Sequence, residues 1–148
     1  MYVHGINIPD KPLTNIELVS YASELKIPHF RGVFMRDTLP KHPRNIECGI
    51  LNFNTSNQSG SHWVCYYKGD KNRIYFDSYG QVTPIEIQHY LKTSEEFKDS
   101  KQVIKRNTDI VQAPGTSVCG HLCLHVLKSL PTNSFQTVLN HMRHYGYP

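Results

Sequence analysis

Apolar and polar positions change period along the chain, and each change marks an element. Residues 1–12 show no period and contain Pro9 and Pro12, so they read as an N-terminal loop segment. Thr14-Asn15-Ile16-Glu17 then has the form of a capping box, in which the Thr14 hydroxyl takes the Glu17 N–H and the Glu17 carboxylate reaches back. Leu13 and Leu18 stand at the two positions of a hydrophobic staple, so the pattern predicts a helix over 15–25, stopped by Pro28. Residues 29–47 carry Gly32, Pro40, Pro43 and mixed charge, and read mostly as loop.

β-Branched and aromatic runs follow. Cys48–Phe53, His62–Tyr67 and Arg73–Tyr79 are strand-like, and Gly69-Asp70-Lys71-Asn72 between the last two predicts an antiparallel hairpin. Residues 84–98 read as helix and 103–112 as extended. Ser117–Leu130 is helical up to Pro131, and Asn133 or Ser134 caps a last helix ending near Gly146. Helices flanking a mainly antiparallel sheet define an α+β class. No repeat or interdomain linker interrupts it, so one domain over 1–148 is expected.

Composition narrows the class. With 39% hydrophobic and 19% charged residues, the chain is neither disordered nor collagen-like. Its longest apolar run, Trp63–Tyr67, is far short of a membrane span, and His4, Pro9, Asp10, Lys11 and Pro12 break any signal-peptide core. Four cysteines are too sparse for a disulfide scaffold and point to a reducing compartment. The expectation is a soluble intracellular protein, not secreted and without a membrane partner. The net charge of +4 gathers in residues 100–148, where Lys101, Lys105, Arg106, Lys128 and Arg143 face Asp109 alone. Such an excess is either a solvated face or a contact for DNA or another polyanion.

The hairpin makes a geometric statement about chemistry. With an even loop, Lys68 pairs with Arg73, Asp77 lies opposite Val64, and Tyr79 lies opposite His62. His62 and Asp77 then share one face as diagonal neighbours, about 7–8 Å apart at the backbone, and a carboxylate can orient an imidazole. An odd loop would put them on opposite faces. The candidate nucleophile is Cys119, after Pro114-Gly115-Thr116-Ser117 and at the start of a helical run. A helix N-terminus favours the thiolate, and the unpaired Cys119 N–H can face an oxyanion. Gln112, seven residues earlier, can donate a second hydrogen bond from its side chain. Taken singly, a buried Cys or a strand His is more often structural.

Cys119, His121, Cys123 and His125 interlace at spacings that invite a metal. On a helix, residues two apart differ by about 200°, so the Cys pair and the His pair face opposite ways and cannot close one tetrahedral site. No metal is expected. Cys123 is expected under the nucleophile, one turn on, with Cys48 and Cys65 as strand core.

The motifs taken in order are more specific than any one alone. Gly60-Ser61-His62-Trp63, Phe76-Asp77-Ser78-Tyr79-Gly80, Val111-Gln112-Ala113-Pro114 and Cys119-Gly120 resemble the adenovirus protease family, cysteine endopeptidases that share a core with ubiquitin-like-modifier proteases. Upstream, Pro28–Phe34 and Cys48–Asn52 are similar to segments that precede the family's histidine, so the resemblance spans about residues 14–130. It implies His62 as general base, Asp77 as its orienting acid, Cys119 as nucleophile, Gln112 as oxyanion donor and Trp63 as the aromatic packed beside the site. Asp77 stands where the adenovirus enzymes usually carry Glu and the modifier proteases carry Asp. Residues 99–111 lack the cysteine that tethers an activating peptide in the family, so no disulfide-linked cofactor is expected.

The resemblance further implies a monomeric enzyme that cleaves viral precursor polypeptides near small residues, often after Gly. It would work during virion maturation, in the virion and in the host nucleus or cytoplasm, with neither metal nor organic cofactor. Stimulation by DNA is the one ligand effect that the basic C-terminal third allows. Two rivals remain open: a ubiquitin- or SUMO-like deconjugating enzyme with the same triad, and an inactive protease fold used as a binding module.

Overall fold

A computed structural model describes residues 1–57, 62–92 and 103–142. Gly60-Ser61, the end of the helix expected to run to 98, and Gly146 lie outside the described residues. Among those described, the order is β1 (Tyr2–Val3), β2 (Ile6–Asn7), α1 (Asn15–Glu24), β3 (Phe30–Met35), β4 (Glu47–Asn52), β5 (Trp63–Lys68) and β6 (Arg73–Phe76). Then come α2 (Ile85–Lys92), β7 (Ile104–Arg106), α3 (Cys119–Ser129) and α4 (Phe135–Met142). The class is α+β, as the sequence implies. No helix among the described residues is long and apolar enough to cross a membrane.

Both halves of the capping box form. The Glu17 N–H donates to Thr14 Oγ1 and the Thr14 N–H to Glu17 Oε1, each at 3.1 Å. They start α1 one residue after Thr14, while buried Leu13 and Leu18 secure its entry. The last helix is capped by Ser134, whose Oγ accepts from the Thr137 N–H at 3.2 Å.

The main sheet has the order β3-β4-β5-β6-β7. Its centre, β4-β5-β6, is antiparallel, and the edges β3 and β7 each add in parallel. The sheet is therefore mixed. Two readings as loop need correction. Residues 29–47 contain β3, which escapes the alternation test because every residue in it is half-buried and a bulge falls between Phe30 and Gly32. Residues 1–12 contain the β1–β2 ribbon, turned by His4 and Gly5 with positive φ and only two residues per strand.

One core fills the face covered by α1, α3 and α4, with Leu18, Ile50, Cys65, Phe76, Leu122 and Val138 among its members. The other face holds Leu51, Val64, Tyr66, Tyr75 and, from α2, Ile87, Tyr90 and Leu91. That second core encloses a carboxylate. Glu47 is fully buried and accepts from Tyr66 Oη at 2.6 Å, Tyr90 Oη at 2.8 Å and Arg31 Nη1 at 3.0 Å. A buried charge needs this many donors.

The Tyr66 ring lies across Gly49, where an added Cβ would come within 2.8 Å of Cε1 and Oη. Gly49→Ala must push the ring off Glu47. We expect a loss of about 2 kcal/mol, roughly 5–8 °C in Tm, by thermal unfolding. An unchanged Tm would show that the ring is free to move.

Candidate active site

The β5–β6 hairpin has the expected register. Lys68 pairs with Arg73 and Cys65 with Phe76, across a four-residue turn closed by the Gly69 N–H to Asn72 carbonyl bond at 2.8 Å. Just beyond the ladder, His62 Nε2 donates to Asp77 Oδ1 at 2.6 Å. Cys119 lies close enough to His62 that each group shifts the other's pKa. Cys119 is the first residue of α3 and is partly exposed, while Cys48, Cys65 and Cys123 are buried. Cys123 does pack beneath the site, against Cys65.

Asp77 is fully buried and tightly held. Its Oδ1 also accepts the Tyr79 N–H at 2.8 Å, and Asn107 grips its backbone. Asn107 Nδ2 donates to the Asp77 carbonyl at 2.6 Å and Oδ1 accepts the Asp77 N–H at 3.1 Å. One side chain thus continues the β6–β7 pairing, whose ladder ends at Tyr75 and Arg106. Gly80 closes this turn at φ +67°, and a Cβ there would stand 2.5 Å from the Thr108 carbonyl oxygen. The Tyr79 ring stacks on His62, centroids 4.7 Å apart.

Gln112 is also buried. Its Nε2 donates to the Thr116 carbonyl at 2.8 Å and its Oε1 accepts from Ser78 Oγ at 2.6 Å. The Pro114-Gly115 turn, with Gly115 at φ +76°, folds Thr116 back to make this contact. Trp63 donates its Nε1–H to the Leu13 carbonyl at 2.8 Å, tying the start of α1 to the site. Gly120 lets α3 approach: a Cβ there would meet Leu18 Cδ2 at 3.2 Å, Leu13 Cδ1 at 3.3 Å and Trp63 Cδ1 at 3.4 Å.

All four residues picked from sequence therefore lie together, and three of them, His62, Gln112 and Cys119, line a cleft of about 680 Å³. Leu13, Thr14, Asn15, Val33 and Met35 line it as well. The partners Tyr79, Asn107 and Ser78 carry no assigned role in the sequence reading. The hairpin register places Tyr79 opposite His62, so a signal for it exists. Asn107 and Ser78 act through loop-to-loop contacts, which no local pattern encodes. The helical histidines are engaged elsewhere: His121 Nε2 pairs with the Pro9 carbonyl and His125 stacks on His4. Among the described residues no three His, Cys, Asp or Glu side chains cluster as metal ligands.

The electrostatics favour an ion pair. Burial alone would lower the His62 pKa, but hydrogen bonds to Asp77 and Cys119, with their charges, push it up to about 9. Burial alone would raise the Cys119 pKa. The bond from His62, the Trp63 N–H, the His62 charge and the Gly120 N–H outweigh it and hold the thiol below its ordinary value. The two shifts open a window in which imidazolium and thiolate coexist. His62, raised in the folded state, contributes stability that is full below its ordinary 6.5 and is lost as pH rises through about 9.

Iodoacetamide at neutral pH should therefore alkylate Cys119 ahead of the three buried cysteines. Its rate should rise at a pH below that of an ordinary thiol, with a second inflection near 9 as His62 loses its proton. In His62→Ala the rise should move up to the ordinary thiol range. Mass mapping that found Cys65 or Cys123 reacting first would remove Cys119 as the activated thiol.

No family model matches the sequence. Curated relatives do. The chain is 28% identical over 130 residues to a protein named Protease from bovine adenovirus 2, covering 78% of this chain and 63% of that one. It is also 28% identical over 124 residues to Protease from porcine adenovirus A serotype 3, covering 75% and 60%. The chain thus spans less than two thirds of the length of the curated relatives it matches. Among solved structures, the crystal structure of an ASFV protease superposes with a TM-score of 0.56 at 18% identity, covering 93% of this chain and 64% of that one. The resemblance read from the motifs stands: this chain is similar in sequence to adenovirus proteases and shares its fold with a further viral protease.

Proposed function

We propose that the chain is a viral cysteine endopeptidase that cleaves viral structural precursor polypeptides, with His62, Asp77 and Cys119 as its triad and Gln112 as oxyanion donor. The observation that carries this reading is one imidazole held by Asp77 on Nε2, beside a thiol at the start of α3 whose pKa it lowers. Similarity to two adenovirus proteins named Protease supports peptide-bond hydrolysis.

The chemistry follows from these positions. The Cys119 thiolate attacks the scissile carbonyl carbon, and the carbonyl π electrons move onto oxygen. That oxyanion receives the Cys119 N–H and the Gln112 Nε2 hydrogen not used by Thr116. His62 Nδ1–H then protonates the departing amine, the C–N bond breaks, and a thioester remains. Water, deprotonated by His62, attacks the thioester; the acid leaves and the thiolate–imidazolium pair is restored. Asp77 keeps the ring oriented and its charge compensated through both halves.

Glycine in the substrate suits a cleft whose approach to Cys119 is lined by Trp63, tied to Leu13, and by Tyr79. The enzyme would act as a monomer in the virion and in the host nucleus or cytoplasm. DNA would engage it through Lys105 and Arg106, exposed on β7, and any stimulation should fade between about 50 and 200 mM salt.

Cleavage profiling on a peptide library is the test. Cys119→Ala should abolish turnover with little change in Tm, Gln112→Ala should lower kcat about a hundredfold or more, and Asp77→Asn should be milder than His62→Ala. A chain that ignores peptides but reacts with a modifier C-terminal probe would be a deconjugating enzyme instead. Full turnover by Cys119→Ala would end the cysteine-protease reading.

A further inference from the structure

An oxyanion donor must present hydrogen, and a glutamine amide has two orientations related by a flip. In one, Gln112 aims N–H at the cleft; in the other it aims oxygen. The Thr116 carbonyl can only accept, so it requires Nε2 on its side, at 2.8 Å. That leaves Oε1 facing inward, where Gln112 is 1% exposed. Its partner there is the Ser78 hydroxyl at 2.6 Å, and Ser78 is itself fully buried. The Ser78 carbonyl also accepts the N–H groups of Val111 at 2.9 Å and Gln112 at 3.3 Å. One serine therefore holds Gln112 by backbone and by side chain.

We propose that Ser78 is the positioning residue for the oxyanion site, holding the Gln112 amide so that its second Nε2 hydrogen points into the cleft. This rests on the protease reading above. Ser78 touches neither substrate nor nucleophile and acts through Gln112 alone. Without its hydroxyl, Oε1 has a buried, unmade hydrogen bond, and the amide swings out of place to find one while Nε2 stays tied to the Thr116 carbonyl. The neighbouring Asp77 keeps its own clamp, since Asn107 holds it through the backbone. Loss of the Ser78 hydroxyl should thus disarm the oxyanion site while leaving the His62–Asp77 pair intact.

The experiment is a double-mutant cycle on the full chain with a cleavable peptide. Ser78→Ala should lower kcat between about tenfold and a hundredfold with KM nearly unchanged, the scale for misplacing a catalytic group by a fraction of an ångström to an ångström. In a Gln112→Ala background the same change should cost nothing further. The pH dependence of Cys119 alkylation should match wild type, because the His62–Asp77 pair is untouched. Losses that multiply in the double variant, or a wild-type kcat for Ser78→Ala, would overturn the proposal. Ser78→Cys, of similar size and with a weak donor, carries the same cycle if the alanine variant does not fold.

A second readout separates this inference from the function it rests on. The two Nε2 protons of Gln112, followed by ¹⁵N-edited NMR, should shift in Ser78→Ala whatever the protein cleaves. If wild type cleaves no peptide while these resonances move, the protease reading fails and the contact survives. Unmoved resonances would overturn the positioning role itself.

Discussion

The turn from Gly69 to Asn72 sets the register that the site depends on, because its even length decides which face Asp77 shares. Lys68 opposite Arg73 carries the pairing along the hairpin to Cys65 and Phe76, and just beyond it His62 meets Asp77 as a diagonal neighbour on the same face. A slip of one residue would turn the carboxylate to the opposite face. The protein resists that slip at the turn itself. Arg73 Nη1 donates to the Gly69 carbonyl, and Lys68 Nζ donates to the carbonyls of Arg44 at 2.6 Å and Asn45 at 2.9 Å. Both side chains are almost wholly buried, so each anchors one strand end to a fixed backbone point.

Beyond the hairpin, the site is assembled from segments that lack regular structure. Asp77–Gly80 and Asn107–Gln112 lie side by side after β6 and β7 part, and their contacts substitute for a ladder. Such an arrangement can turn side chains to angles a strand would not permit. It places an acid and an amide donor on successive residues' contacts, with Asp77 serving His62 and Ser78 serving Gln112. The cost is a set of buried polar groups, each needing a partner, and two glycine-dependent turns.

What could be read from the residues alone followed from local rules. The capping box located α1 to a residue, the turn composition set the hairpin, and the Pro-Gly stretch before Cys119 marked the start of α3. From these, His62 meets Asp77 provided the loop is even, and the four-residue turn makes it so. β3 was not legible, because a half-buried edge strand with a bulge has no alternation and its parallel partner lies outside any local window. Asn107 and Ser78 were invisible for a related reason: their roles are contacts between loops 30 or more positions apart in sequence.

Gly120 has a consequence for how such a site can change. The first turn of α3 rests on Leu13, Leu18 and Trp63 so closely that a methyl group at Gly120 would make these side chains give by a few tenths of an ångström. Leu13 and Trp63 also line the cleft. Leu13 and Trp63 therefore belong both to the cleft wall and to the bed on which α3 rests. A change at Leu13 or Trp63 thus reaches the first turn of α3 as well as the cleft. Met35, at the end of the edge strand β3, lines the cleft without belonging to the core that Leu13, Leu18 and Trp63 share, and there the cleft can change while the bed of α3 stays fixed.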